Sequence, residues 1–368
     1  MATNLPKTDV VVIGLGAVGG VAVLPLVNAG LNVIGLEAGG WFSNRDFAPD
    51  EVRNNLRDWP QQVAKAKNEI PTVRANINFE AVQGGGHPMM NGVGGTSLHY
   101  WAQSWRLNPW DFKTVSETTA RYGAHRIPEN STVEDWPISY DDLEPYYDRV
   151  EYAIGVSGNA GNINGSKQAN GNPFEGPRAR AYPMPGLRSS GYTDMMSDAA
   201  RQLGLGWTPF QGPAAINTEV YGDRPGCFYH GYCDRGGCHV NAKSSTAVTT
   251  IPEALKSGLL KVVTHARVLK ILNDADGRVT GVEYLLGNQV MFQPADAVML
   301  ASHTYENVRL LMLSTSQQFP NGLANNSGQV GQHYLSHHQG APVIALFPKN
   351  LNNWYGLPAQ GVAIDEWA

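Results

Sequence analysis

Gly14-Leu15-Gly16-Ala17-Val18-Gly19 forms a G-x-G-x-x-G, and the first acidic residue after it, Glu37, stands 18 positions beyond Gly19. This pattern points to a bound dinucleotide. Gly14 permits a tight turn, Gly16 lets the backbone approach a pyrophosphate, and Gly19 lets a helix pack closely on a strand. The free N–H groups and dipole at a helix N-terminus favour phosphate. Glu37 can accept hydrogen bonds from ribose hydroxyls, and it would repel a 2′-phosphate. A second run, residues 81–105, is also free of formal charge; it clusters Gly84, Gly85, Gly86, Gly92, Gly94 and Gly95 around Asn91 and ends at Arg106. A solvated loop is a poor reading of a run that carries two Trp, one Tyr and two Met. Apolar aromatics beside clustered glycines suit backbone packed against a flat, largely apolar ligand.

The elements that must position these residues are legible around them. Asp9–Ile13 is a β-branched apolar run expected as a buried parallel strand, 17–29 reads as a helix ended by Gly30, and 32–36 as a second strand. Together they make a βαβ unit. The absence of charge between Asp9 and Glu37 gives a membrane span or signal anchor as the competing reading. Interior glycines at about 1 kcal/mol each and Pro25 at about 3 argue against a spanning helix, and there is no basic leader or obvious cleavage site. Pro25 is expected to kink the helix. Further on, Asp141–Ile154 has helical spacing, with its acids on an outer face. Leu259–His265, Val268–Leu272 and Arg278–Leu286 read as strands, and Asn273–Gly277 as a turn. Asp296–Ala301 reads as a strand re-entering the first sheet, followed by a helix over Thr304–Ser314. Residues 155–176, with six Gly and five Asn, read as loop.

Composition sets outer bounds. The 368 residues favour two domains. A hydrophobic fraction of 42% supports a sizeable core, while charged residues are only 16%, against about 25% in an average soluble chain. The formal net charge of −5, with no basic run, removes the electrostatic footprint of nucleic-acid binding. Three cysteines do not make a secreted disulfide scaffold. The chain is expected to be soluble and cytoplasmic, with no membrane span.

The two glycine-rich segments carry a family resemblance. Gly14–Gly19 with Glu37-Ala38-Gly39, then Gly94-Gly95-Thr96-Ser97-Leu98-His99-Tyr100-Trp101 and Arg106, resemble the glucose-methanol-choline (GMC) flavoprotein oxidoreductases. Asp135-Trp136-Pro137 through Tyr147, and Ala242-Lys243-Ser244-Ser245-Thr246 with Ile251-Pro252, are similar to the branch of gluconate 2-dehydrogenase, fructose dehydrogenase and pyranose oxidase flavoprotein chains, and Val330-Gly331-Gln332 through Ser336-His337 is similar to the family's V-G-x-x-x-x-D-H. In the last of these, Ser336 replaces the usual acid.

The resemblance implies an α/β fold: a Rossmann-like FAD-binding domain with a parallel sheet, over 1–110 and 225–335. An α+β substrate domain over 111–224 and 336–368 accompanies it, and both are expected to be unfinished within this chain. It implies FAD as cofactor, held by Gly14, Gly16, Gly19, Glu37, Ala38, Gly94, Gly95, Thr96, Ser97, His99, Arg106 and Val268, the last as a backbone contact to adenine. His99 falls where some relatives link histidine covalently to the flavin, and a hydrogen-bonding residue beside the ring is the alternative. The implied reaction oxidises a CH–OH group of a sugar, sugar acid, glycoside or polyol by hydride transfer to flavin N5.

The family's catalytic histidine lies near the C-terminus of a longer chain, and no segment here matches it, so no catalytic residue is assigned. A C-terminal partner chain or missing segment, and an electron-acceptor protein, are the partners expected on that basis. A non-catalytic flavin-binding or electron-transfer subunit is the second reading, and an NAD-dependent dehydrogenase the third, disfavoured by Gly94–His99. Cys227, Cys233 and Cys238, with His230 and His239 among them, leave inert thiols, a disulfide and an iron–sulfur cluster open; the spacing argues against structural zinc, and no metal is assigned.

Overall fold

A computed structural model of the chain describes residues 2–47, 52, 72–74, 78–83, 90–231, 233, 236–334, 343–352 and 355–366. Gly84–Gly86 of the second glycine-rich segment, and Ser336 and His337 of the late motif, lie outside the described residues. In chain order the helices of two turns or so are α1 Ala17–Asn28, α2 Thr114–Tyr122, α3 Tyr140–Ile154, α4 Gly191–Gln202, α5 Thr250–Lys256 and α6 Thr304–Leu313. The strands longer than two residues are β1 Thr8–Ile13, β2 Val33–Leu36, β3 Leu260–Val263, β4 Ala266–Asn273, β5 Val279–Leu286 and β6 Gln289–Leu300.

The chain divides into two compact units. The first comprises residues 1–100, 235–239 and 245–338, the second 101–234, 240–244 and 339–368.

The first unit is built on a sheet of order β4-β5-β6-β1-β2-β3, with Thr3–Asn4 pairing beside β6. β6, β1, β2 and β3 run parallel, and β4, β5 and β6 form an antiparallel meander. The two-residue period of a strand explains why β1 carries apolar residues at every position from Val10 to Ile13. Val10 and Val12 pack with Val23 and Val27 of α1 and Ile251 and Ala254 of α5. Val11 and Ile13 face the other way, into a core shared with the meander and Leu310 of α6. Helix α1 can lie close to its neighbours because a Cβ on Gly20 would come within 2.4 Å of the Thr246 side chain. The Thr246 and Thr250 hydroxyls donate to the Gly16 and Gly20 carbonyls at 3.1 and 2.5 Å.

α1 runs through Pro25 to Asn28, close to the expected 17–29, and Gly30, at φ +82°, receives the chain after it. One expectation changes here. β6 begins at Gln289, seven residues before the expected Asp296. Pro294 disguised it, since proline inside a run argues against a strand. It sits where β6 exchanges its pairing with β5 for pairing with β1, which starts at Ala295.

The second unit has little regular structure beyond α2, α3 and α4. The expected loop 155–176 contains a two-residue-strand hairpin, Asn162–Ile163 with Ser166–Lys167, turned by Asn164 and Gly165, both at positive φ. The acidic segment 131–151 is not simply a solvated face. Asp135 accepts from the Val115 and Ser116 amides at the start of α2, and Ser139 with Asp142 caps α3. Glu144, Asp148 and Glu151 of α3 turn toward arginines. Arg106 pairs with Glu151 at 2.7 Å and Glu144 at 3.1 Å, Arg178 pairs with Glu151 and with Glu175 at 2.7 Å, and Arg180 pairs with Asp148. The Arg178 guanidinium, fully buried, also lies 3.6 Å from the Tyr182 ring centroid.

Removing one partner of such a buried chain leaves the others uncompensated, at a cost of about 3–5 kcal/mol. Arg178→Met is therefore expected to destabilise the protein by about that much, whereas Arg201→Met, in an exposed pair with Asp198, should change stability by less than about 1 kcal/mol. Denaturant unfolding of both variants checks the contrast.

Candidate functional site

The parallel strands β6, β1 and β2 end side by side at Leu300, Ile13 and Leu36, and all three residues line one cleft of about 350 Å³ in the first unit. From β1 the chain enters α1 on one face of the sheet; from the adjacent β6 it enters α6 on the other. Neighbouring strands that send their helices to opposite faces leave a crevice at their carboxyl ends, where α/β sheets bind ligands.

The fingerprint loop forms one wall. Gly14 has φ +88°, and a Cβ there would stand 2.7 Å from the Ala301 carbonyl oxygen, so only glycine fits. A Cβ on Gly19 would fall 2.0 Å from the Gly14 carbonyl oxygen, which fixes how closely α1 starts against the turn. Gly16 caps α1 with ordinary φ −73°, has no side-chain cap, and the first turn holds no acidic residue. Its Cβ position meets only Gly95 Cα, at 3.8 Å. The amides of that turn are thus available to an anion.

The second glycine-rich segment is laid directly on this loop. The Gly94 amide donates to the Leu15 carbonyl at 2.8 Å, and a Cβ on Gly95 would stand 2.8 Å from Gly16 Cα. Gly94 and Gly95 both have positive φ. They lead into a short 3-10 turn, Gly95–Leu98, in which the Ser97 hydroxyl donates to the Gly94 carbonyl at 2.5 Å and the His99 amide to Thr96.

Glu37 joins the pieces. Its side chain, at the end of β2, is 6% exposed. One carboxylate oxygen accepts from the Leu15 amide at 3.0 Å; the other accepts from Gly39 at 2.9 Å and Gly92 at 3.1 Å. Three chain segments therefore meet on one carboxylate. Burial pushes its pKa above 4.5, and the Gly39, Leu15 and Gly92 amides oppose that rise. A carboxylate has roughly four acceptor positions; the Leu15, Gly39 and Gly92 amides use it, and the Ala38 amide also acts on it, so the expected ribose contact has to share a group that already holds the loops together.

Of the residues singled out from sequence, Gly14, Gly16, Glu37, Ala38, Gly95, Thr96 and Val268 line the cleft. Gly19, Gly94 and Ser97 shape its walls from behind. His99 ends the 3-10 turn and is half-buried. Arg106 belongs to the second unit, where its guanidinium is engaged with Glu151, Glu144 and Tyr140. Sequence reasoning missed the β6–α6 junction: Ser302, His303, Thr304 and Asn307 line the cleft beside Gly14 of the fingerprint. A two-residue gap between an apolar strand and a helix beginning at Thr304 was the available signal. Among the described residues no disulfide joins Cys227, Cys233 or Cys238, and Cys233 Sγ lies 3.4 Å from His230 Nδ1. Among the described residues no group of three or more His, Cys, Asp and Glu side chains is arranged to hold a metal, and no helix is long and apolar enough to cross a membrane.

The fold and cleft define an α/β dinucleotide-binding protein. The comparisons narrow this: residues 87–339 match the family model described as GMC oxidoreductase, and the chain belongs to that family of FAD-dependent oxidoreductases. It is 32% identical to the gluconate 2-dehydrogenase flavoprotein of Pantoea cypripedii, over 100% of this chain and 62% of that protein. It is 29% identical to the fructose dehydrogenase large subunit of Gluconobacter japonicus, over 92% of this chain and 60% of that protein. The chain thus spans about three fifths of the length of these curated relatives. The crystal structure of a pyridoxine 4-oxidase from Mesorbium loti shares the fold, with TM-score 0.52 and 16% identity over 84% of this chain and 52% of that one.

Glu37→Gln puts an amide N–H among three N–H donors and leaves at least one unsatisfied, at about 1–3 kcal/mol. The variant is expected to be destabilised by about that amount without any cofactor present. The raised pKa sets the sign of the pH dependence. The folded state holds the Glu37 proton more tightly than the unfolded chain, so this group's contribution is largest in acid and declines as pH rises from 4.5 through the raised value. The stability gap between wild type and Glu37→Gln should therefore narrow from acid toward neutral pH in denaturant titrations.

Proposed function

We propose that the first unit binds FAD in the cleft at the ends of β6, β1 and β2, and that the protein oxidises a CH–OH group of a sugar, sugar acid or polyol. FAD, when bound, supplies the acceptor for the hydride of that C–H bond. This chain's residues hold and orient it. The uncapped first turn of α1 would offer its amides to the pyrophosphate, Glu37 would share its carboxylate with the ribose, and Val268 would offer backbone to the adenine. The segment Gly94–His99 would offer close-packed backbone to the flavin end, where His99 would contact the ring.

The observation that carries this reading is the seating of Gly95 on Gly16, with Gly92 and Leu15 tied to Glu37. That arrangement makes a dinucleotide fingerprint and a second glycine-rich segment one site. The substrate class rests on family membership and on the names of the relatives. The second unit is assigned the substrate-facing role on the same basis. A partner chain is consistent with a relative named as a large subunit.

The purified protein should show flavin absorption bands, and a glucose, gluconate or polyol substrate should bleach them under anaerobic conditions. A protein that binds FAD but is bleached by none of these would instead be a flavin-binding or electron-transfer subunit. Gly16→Ala separates binding from folding. Its Cβ meets nothing closer than 3.8 Å and its φ is ordinary, so the apo protein should be as stable as wild type while FAD affinity falls at least tenfold (about 1.4 kcal/mol). Calorimetric titration with FAD and apo-protein melting check the two halves.

A further inference from the structure

We infer that Trp105, Asn159 and Gln211 of the second unit form a subsite for a neutral, hydroxyl-rich ring, a sugar or glycoside rather than a sugar acid. The ligand class rests on the substrate reading above. All three residues line one recess of about 20 Å³ on that unit. Such a volume admits a single water-sized group, so a sugar would lie across the mouth with one hydroxyl inserted.

The indole of Trp105 is a fixed platform. A Cβ on Gly212 would stand 2.5 Å from Cη2 and Cζ2 of its six-membered ring, and Gly212 is not a positive-φ glycine. Glycine at this position therefore serves the ring and not the backbone. Phe210 meets the indole edge-on, with ring centroids 6.0 Å apart and an interplanar angle of 85°. Held in this way and still 46% exposed, the indole offers an apolar surface to the C–H face of a sugar ring. Nearby, Asn159 Nδ2 and Gln211 Oε1 converge: they lie 3.1 and 3.2 Å from the one point where a Cβ on Gly186 would stand. Among the described residues no hydrogen bond engages either side-chain amide. Each amide carries donors and an acceptor, which suits hydroxyls that both donate and accept.

The charged groups of the recess are already committed. Among the described residues that line it, Arg106 is the one cation, and it pairs with Glu151 and Glu144. Glu175 pairs with Arg178 and accepts from the Gly161 amide at 2.6 Å. Asn172 is held as well, by Asp365 and the Phe174 amide, each at 2.9 Å. A ligand carboxylate would thus give up water without gaining a cation. A neutral polyhydroxylated ligand carries no such cost.

Ligand-observed NMR titration with methyl glucoside and with gluconate tests the assignment. Wild type should bind methyl glucoside, and gluconate about tenfold more weakly or worse. Trp105→Ala should weaken glucoside binding about tenfold. Asn159→Leu and Gln211→Leu remove hydrogen bonding and leave the packing of the indole alone, so each should weaken it about threefold or more. Both leucine variants should melt as wild type does and bind FAD equally well, which keeps the test sound if Trp105→Ala folds poorly. Unchanged glucoside affinity in the two leucine variants would overturn the inference. So would wild type that binds no glucoside, or that binds gluconate as tightly. A protein that binds the glucoside through these residues but takes up no FAD would overturn the cofactor reading and leave the subsite standing.

Discussion

One buried carboxylate organises the cleft. Glu37 stands at the end of β2, takes amides from Leu15, Gly39 and Gly92, and does so in a nearly dry setting where each unmet donor would be costly. Its own backbone is fixed too: its amide donates to Val263 and its carbonyl accepts from Ala266, each at 2.9 Å. The end of β2 is therefore tied to β3, β4, the fingerprint turn and the second glycine-rich segment. Apolar packing cannot bring four stretches of backbone to one point, because their peptide groups would be stranded. A side chain with several acceptor positions can.

Around that point the sheet supplies direction. β1 buries both of its faces, and the helices that follow β1 and β6 leave on opposite sides. The same alternation that lets Val10 to Ile13 all be apolar opens the crevice between two helix N-termini. Glycine then decides how close the walls can come. Gly14, Gly19, Gly20 and Gly95 each stand where a Cβ would strike a neighbour at under 3 Å, while a Cβ on Gly16 would meet only Gly95 Cα, in ordinary contact at 3.8 Å. Four glycines serve packing, and the fifth leaves room for a ligand.

The second unit is organised by different means. Its helices are few, and a continuous chain of ions runs from Arg106 through Glu151 to Arg178 and Glu175. The acidic face of α3 is turned inward to meet it. Such an arrangement contributes little net stability compared with an apolar core, but it admits few alternative partners once formed.

Much of the first unit was legible in the sequence, because its signals are local. The βαβ unit, its fingerprint, the charge-free runs and the meander β4–β5 follow from periodicity, β-branching and glycine spacing, which act within a few residues. The GMC resemblance and the FAD assignment rest on the same short motifs. The start of β6 was hidden by Pro294, and the inward turn of α3 by an acidic pattern identical to that of a solvated face. What only the tertiary structure decided is which distant groups share one place: Glu37 with Gly92, Gly95 with Gly16, Ser302 with Gly14, Arg106 with Glu151. Burial and hydrogen-bond satisfaction select those pairings, and both depend on the folded whole, whereas conformational preference belongs to each residue and its neighbours. The two uncharged glycine-rich segments could therefore be found by reading along the chain, but that one rests on the other is a property of the fold.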